Sequence, residues 1–386
     1  MLDRSKLAAL LQTMTSLLFP ANDDKQWELA CAGWDRICTD QTFKERAARA
    51  QASFLMPLWD GALGDRIPCK IAFEHYVVAG CDGSQIYPDR HLSGAGCFVV
   101  NAGGCVLHYA ERSSVSFFSE PQVMLNDYFV ETIGSFSPDI VDFQREAYEL
   151  EKAYRIAITY HEQELLVPYV GLFDGTLIFW HLEGKSPEIR DYFLMQYLQT
   201  LQLYYAKKML IAGYISMPKS RELINLISLG MCRFDTANCI ACHHAFHDFP
   251  CKQIDHIIDA QLCDYFLPIG SRTTIFYSQS HIVEYYPEHL RPAFFYLNVG
   301  FEIARVEIPA WIAQDASLVD VVCSVLLDQV KKGNGYPVAL SEAHEQAVIR
   351  GADRDFFYHL LGKQSIDHQR RLVMSPKSIK KKGIGI

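Results

Sequence analysis

At 386 residues, 49% hydrophobic and 21% charged, the chain carries enough apolar material for one large domain or two smaller ones, and a disordered chain is excluded. A formal net charge of −9 excludes a protein coated in basic surface, so any nucleic acid must be met in a local positive groove. No apolar run reaches the roughly 20 residues of a membrane span and Met1 to Lys6 lack a secretory cleavage pattern, so the expectation is a cytoplasmic protein with no membrane contact and with its twelve Cys as reduced, buried thiols.

Residues 1–59 read as a helical arm. Leu7, Leu10, Leu11, Met14 and Leu18 recur at spacings of three and four until Pro20 interrupts them, a pattern that predicts packing and carries no chemistry. From Ile71 the character changes. Tyr76, Val77, Val78 and Ala79 read as a buried strand running to Asp82, where Gly83 suits a sharp exit into a polar loop through His91. Cys97 to Asn101 and Cys105 to Tyr109, around Ala102-Gly103-Gly104, predict a hairpin. Ser137-Pro138-Asp139 is a helix start by cap, proline and first-turn acid, and the helix is expected to run to about His161. Leu165 to Phe173 is a second apolar strand that also ends on an acid followed by glycine, Asp174-Gly175-Thr176.

Asp82 alone is as well explained as a turn cap. The order of strand with acid, hairpin, helix, strand with acid changes that, because it resembles the ribonuclease H-like arrangement: an α/β fold with a mixed sheet flanked by helices. A helix crossover makes the two acid-bearing strands parallel, so both C-terminal ends lie at one edge, where two carboxylates can hold a hard divalent cation. The intervening helix offers Glu146, Glu149 and Glu151 as a third acid. Phe143, Ala147, Leu150, Tyr154 and Ala157 define its apolar stripe, which Glu146 and Glu151 flank while Glu149 lies farther round; an Arg145–Glu149 surface pair is the plain alternative.

Pro187 to Tyr214 reads as one long amphipathic helix. The Cys-dense segment follows, an insertion at about 228–258 with Cys232, Cys239, Cys242 and Cys251 beside His243, His244 and His247. Thiolate and imidazole are zinc ligands, but no second paired half stands at finger spacing, so a zinc site and a loop with free thiols both remain open. Farther on, Thr274 to Tyr277 and Ala293 to Leu297 read as strands, and Ile303 to Ile308 alternates as a half-exposed strand should; Arg272 and Arg305 are candidates either for phosphate contact or for scaffold salt bridges. Leu340, Ala343, Ala347 and Val348 set His344 on or beside the buried stripe of a helix continuing toward Phe356, Phe357 and Leu360.

Asp82-Gly83-Ser84-Gln85-Ile86 with Pro88-Asp89-Arg90-His91, Phe173-Asp174-Gly175-Thr176-Leu177, Gly213-Tyr214-Ile215-Ser216, Arg305-Val306-Glu307-Ile308-Pro309, Tyr336-Pro337-Val338-Ala339-Leu340 with Glu342-Ala343-His344, and Asp353-Arg354 together resemble the NurA family of DNA-end-processing nucleases. The resemblance covers about residues 60–362, and its specificity comes from several words in one order. It implies a ribonuclease H-like fold, a manganese-dependent nuclease (magnesium as the alternative ion) acting on single- and double-stranded DNA in the 5′ to 3′ direction, a homodimer, and partnership with a HerA-type hexameric ATPase translocase in double-strand break end resection. Asp82, Glu149, Asp174 and His344 are the implied metal ligands, with Glu151 behind Glu149, and Tyr336 joins them as a catalytic residue. A catalytically inactive scaffold that binds DNA or a translocase is the competing reading. A phosphotransfer ATPase is disfavoured because no G-x-x-x-x-G-K-[ST] loop occurs. Residues 363–386 form a basic tail, with Lys377 and Lys380 to Lys382 expected to be flexible.

Overall fold

The computed structural model describes every residue except 1, 19–23, 90, 91, 94, 95, 162–166, 233, 235, 240, 241, 243–249, 369–372 and 375–386. Expectations placed on Pro20, Arg90, His91, Leu165, His243, His244, His247, Lys377 and Lys380 to Lys382 therefore lie outside the described residues. Among the described residues no helix is long and apolar enough to cross a membrane.

Two compact units divide the chain. One comprises Met1–Met56, Ala62–Gly64 and Lys219–Phe266, so most of the N-terminal arm and the Cys-bearing segment fall in the same unit. It is helical: Arg4–Thr13, Thr15–Leu18, Asp24–Thr39 and Phe43–Arg49 come from the arm, and Glu222–Gly230 and Asp259–Phe266 from the later segment. Helix Glu222–Gly230 is buried on all sides, and Trp34 stacks on Phe266 with ring centroids 4.9 Å apart. The arm's first leucines do not pack as expected. Leu7, Leu10, Leu11, Met14 and Leu18 are exposed, because their spacing makes a helix with an apolar face but does not by itself supply a surface to cover it.

The other unit is built on a mixed sheet. Strands β1 (Tyr76–Ile86), β2 (Cys97–Tyr109) and β3 (Ser114–Leu125) form an antiparallel meander. Strand β4 (Tyr169–Asp174) pairs parallel with β1, and β5 (Leu210–Ile215) parallel with β4. Strands β6 (Pro292–Asn298) and β7 (Ile303–Pro309) complete the order β3-β2-β1-β4-β5-β7-β6, with β7 antiparallel to β5. Helices α1 (Pro138–His161) and α2 (Pro187–Lys207) are the crossovers before β4 and β5; α3 (Ala316–Lys332), α4 (Val338–Ala347) and α5 (Gly351–Asp367) follow the sheet. The α/β class and the helix-flanked mixed sheet are as the order of motifs predicts. Helix α1 spans Pro138 to His161, the bounds its cap and acid signals predict.

Several expectations change in the folded chain. Residues 97–109 are one continuous strand, not a hairpin. The glycines that imitate a turn mark close approaches: a Cβ at Gly103 would lie 2.3 Å from the Ala347 backbone nitrogen of α4 and one at Gly104 would lie 2.4 Å from the Gly80 carbonyl oxygen, while one at Gly80 itself would lie 2.2 Å from the Ala339 carbonyl oxygen of α4. Only glycine lets the helix lie this close to β1 and β2. Gly80→Ala is accordingly expected to cost about 3 kcal/mol, read as a lower urea midpoint at unchanged slope; an unshifted midpoint contradicts the close approach. The long helix predicted to Tyr214 ends at Lys207, with Lys208 at φ 55°, and the apolar residues beyond it form β5. Helix α4 stops at Ala347 and α5 begins afresh at Gly351, so the predicted run from Leu340 to Leu360 is two helices. Strand β7 is buried along its whole length rather than half-exposed. Its charges are paired inside: Arg305 Nε donates to Glu307 Oε1 at 2.8 Å. Arg272 is buried too and donates to the Thr273 carbonyl, so neither arginine lines a phosphate groove.

Candidate metal-dependent active site

The register of the central strands brings the two strand acids together. Parallel pairing of β1 with β4 ends at Cys81 opposite Phe173, so Asp82 and Asp174 follow as neighbours on adjacent strands, about 4.8 Å being the usual strand separation. Strand β1 does not end at Asp82, as Gly83 suggested; its antiparallel pairing with β2 continues to Ile86 opposite Val99. Asp82 is thus at the tip of the parallel pairing and held rigid by the antiparallel one.

Helix α4 crosses this position. Asn101 Nδ2 donates to the Ala347 carbonyl at 3.0 Å, and the Ser84 hydroxyl donates to the same oxygen. With the helix end latched, His344 Nδ1 meets Asp82 Oδ2 at 2.8 Å. The other Asp82 oxygen accepts from the Gly83 N–H at 2.7 Å. His344 is exposed, with a side chain 63% accessible, and is not the hydrogen-bonded core histidine that its position beside an apolar stripe allowed.

The helix acid is where the wheel argument did not put it. Glu149 is enclosed, 2% exposed, whereas Glu151 pairs with Arg155 on the surface and Glu146 accepts from the Tyr197 hydroxyl and meets His181. The single-stripe wheel fails because α1 is packed on β1 and β2 on one side and on α2 on another, so more than one of its faces is buried. Glu149 Oε2 would stand 2.9 Å from a Cβ at Gly83, which places this carboxylate against the residue after Asp82. Arg145 Nη1 donates to it at 3.0 Å, an i,i+4 pair in a buried setting rather than on a solvated surface. Tyr336 completes the group by donating its hydroxyl to the Asp174 carboxylate.

Electrostatics identify what this arrangement lacks. Burial pushes the Glu149 carboxyl well above the ordinary range despite Arg145, and the negative charges of Asp82, Glu146 and Asp174 push the same way. Asp174 is raised as well, by burial first and then by Asp82, against the lowering effects of Tyr336 and His344. Crowded, desolvated carboxylates of this kind are relieved by a proton or by a hard cation. Among the described residues no group of three or more His, Cys, Asp or Glu side chains is arranged to hold a metal ion as it stands. Asp82 is engaged by His344 and Glu149 by Arg145. The donors are nonetheless all oxygens plus one imidazole, close together and short of positive charge, and this chemistry fits a divalent ion of the magnesium or manganese type.

The raised Glu149 carboxyl has a consequence for stability. The folded protein holds this proton to higher pH than the unfolded chain does, so the stability that Glu149 contributes in metal-free protein is fully present below the ordinary glutamate value of 4.5 and is lost as pH rises through the folded value. Glu149→Gln is therefore expected to raise the neutral-pH melting temperature of metal-free protein and flatten its decline with pH; a lowered melting temperature contradicts the repulsion.

Two features gave no clear signal in the sequence. The turn after Asp174 is anchored from β7, where Glu307 Oε2 accepts from Thr176 Oγ1 at 2.7 Å and from the Leu177 N–H at 2.8 Å. The Ser84 and Asn101 latch on α4 was equally invisible, since nothing local ties those polar residues to a helix 240 or more positions away.

The chain matches the NurA domain over residues 76–349, well over half its length. No curated protein sequence matches it. Among solved structures, a crystal structure of NurA is 12% identical and covers 94% of this chain and 98% of that one, with a TM-score of 0.38. A crystal structure of NurA bound to dAMP and manganese is 12% identical, covering 91% and 95%, with a TM-score of 0.33. The N-terminal RNase H domain of a Mycobacterium tuberculosis protein, solved as a fusion with maltose-binding protein, is 17% identical over 34% of this chain and 75% of that one, with a TM-score of 0.18. All three superpositions are loose, so the assignment rests on the domain match, which runs from β1 through the residues just beyond α4 and so contains Asp82, Glu149, Asp174, Tyr336 and His344. The chain belongs to the NurA family of nucleases.

Proposed function

We propose that this protein is a divalent-metal-dependent deoxyribonuclease that hydrolyses phosphodiester bonds at single- and double-stranded DNA ends, with manganese as its ion and magnesium as the alternative. The observation that carries the reading is the crowding of Asp82, Glu149 and Asp174 at one end of the β1–β4 pair with His344 across it. A bound ion supplies Lewis-acid stabilisation of the charge that develops on the phosphate and a more acidic water. Asp82, Asp174 and Glu149 would hold the ion, and Arg145, paired with Glu149 at 3.0 Å and 27% accessible at its side chain, sets a positive charge beside these carboxylates. His344, with Nδ1–H on Asp82, presents Nε2 to solvent as a proton acceptor or as a further ligand. Tyr336 orients Asp174 through its hydroxyl.

By the family resemblance, the direction is 5′ to 3′ with endonuclease action on single strands, the working form is a homodimer, and the partner is a HerA-type hexameric translocase in double-strand break end resection. Incubating the full chain with end-labelled linear DNA and manganese, magnesium or a chelator tests class, ion and direction together. Degradation with a divalent ion and none with chelator is the expected result. Binding of DNA without cleavage in any ion would support the inactive scaffold instead.

A further inference from the structure

Four of the twelve cysteines gather far from the acids in sequence. Cys232, Cys239, Cys242 and Cys251 are all free thiols, and all four line a single small cavity. The rest of its wall is mostly apolar, with Phe54, Leu229 and Met231 among the lining residues. It encloses about 30 Å³, the space of one water molecule. The four cysteines arrive from three anchored pieces of backbone. Cys232 follows the buried helix Glu222–Gly230 and is tied to it through its N–H on the Leu229 carbonyl at 3.0 Å. Cys239 donates its N–H to the Gln51 carbonyl at 2.9 Å while Gln51 N–H bonds Ala237, a short two-way bridge to the arm. Cys242 lies one helical turn on, its N–H on the Asn238 carbonyl at 3.0 Å, so the two thiols of the C-x-x-C share a face. Cys251 sits in the turn Pro250–Lys252.

The thiols are within electrostatic reach of one another: a charge on Cys251 is opposed by Cys232, Cys239 and Cys242. Burial and this mutual opposition raise Cys239 and Cys251 above the ordinary thiol range. Four thiols converging on a pocket that is too apolar to solvate thiolates and too small for an organic ligand have one economical use, which is to surround a soft metal.

We propose that Cys232, Cys239, Cys242 and Cys251 form a tetrathiolate zinc centre that cross-links the backbone pieces carrying these four cysteines. The thiols do not yet close round one point. Binding draws them inward from the cavity wall and releases their protons to solvent, converting a thiol-lined pocket into a cross-link. The centre is structural in role, since all four protein ligands are cysteines and no position is left open for a substrate. It is independent of the nuclease reading and owes nothing to the oxygen-donor site around Asp82.

The test is metal analysis of the full chain, purified under reducing, oxygen-free conditions without chelator. The expected result is about one zinc per chain with a colourless spectrum. The double variant Cys239→Ser/Cys242→Ser is expected to lose the metal, whereas Cys97→Ser, a buried cysteine elsewhere, and Asp82→Ala retain it. Because the double variant can also lose metal by misfolding, the wild-type protein is titrated with a mercurial: release of the metal in step with modification of the thiols, together with protection of Cys232, Cys239, Cys242 and Cys251 from alkylation in the untreated protein, supports the centre. Zinc below roughly a tenth of an equivalent, metal retained by the double variant, or free alkylation of the four cysteines in native protein would overturn it. Loss of nuclease activity in Asp82→Ala with metal still at the cysteines keeps the two readings separate.

Discussion

Asp82→Ala is expected to lower manganese-dependent cleavage of linear DNA by about three orders of magnitude, because a metal-held transition state is worth several kcal/mol and each 1.4 kcal/mol is tenfold in rate. The fold should survive. Among the described residues Asp82 accepts from the Gly83 N–H and the exposed His344, so its loss costs about 1 kcal/mol in hydrogen bonding, and it also removes a negative charge that pushes the Asp174 and Glu149 carboxyls upward. Circular dichroism should therefore match wild type while single-turnover cleavage of end-labelled DNA fails. Full activity in this variant sinks the assignment of the site.

The second large effect is expected away from the acids. In Arg305→Ala, Glu307 stays buried, 1% exposed, without the guanidinium that it meets at 2.8 Å. Removing one partner of a buried ion pair costs about 3–5 kcal/mol, a large part of the roughly 5–15 kcal/mol that holds a domain folded. Arg305 also lies over the Phe294 ring, 3.6 Å from its centroid, so packing is lost with the charge. Activity should fall with stability, because Glu307 is the acceptor that pins Thr176 and Leu177 and so sets the turn after Asp174. Urea unfolding and cleavage assays on Arg305→Ala and on the double variant Arg305→Met/Glu307→Leu separate the two roles. The double variant should recover much of the stability, since no charge is left unpaired, yet remain impaired in cleavage because the turn has lost its acceptor. Equal recovery of both would show that Glu307 does not position Asp174.

How legible the site was depended on how local its cause was. Asp82 and Asp174 stood out because each ends an apolar run of sequence and is followed by glycine, a pattern readable within ten residues; that the strands are parallel followed from one intervening helix. Helix α1 announced its own start at Pro138. Glu149 was the opposite case. A helical wheel ranks faces by a single apolar stripe, and α1 lies between the sheet and α2, so a carboxylate can be enclosed on a face that the wheel counts as solvent. Family resemblance pointed to Glu149 where periodicity pointed elsewhere. Gly103 and Gly104 misled for a related reason: glycine marks either a turn or a close approach, and which one applies depends on what packs there, a helix more than 200 residues later at Gly103 and the Gly80 carbonyl and Phe118 ring at Gly104. Strand β5 was absorbed into a helix because Leu210 to Ala212 are apolar in either state and the stop at Lys208 carries no glycine or proline.

The sequence by itself determined the α/β class, the two strand acids, the NurA family words and the residues 336–344 that complete them, because each rests on the chemistry of a short window. Tertiary structure alone decided that Glu149 is enclosed on a face the wheel counts as solvent, that Arg305 and Arg272 serve the interior rather than a phosphate groove, that Glu307 holds the Asp174 turn, and that four cysteines share one cavity. Those outcomes depend on which surfaces become buried against each other, and burial sets whether a charge is a solvated ornament or a group that must find a partner.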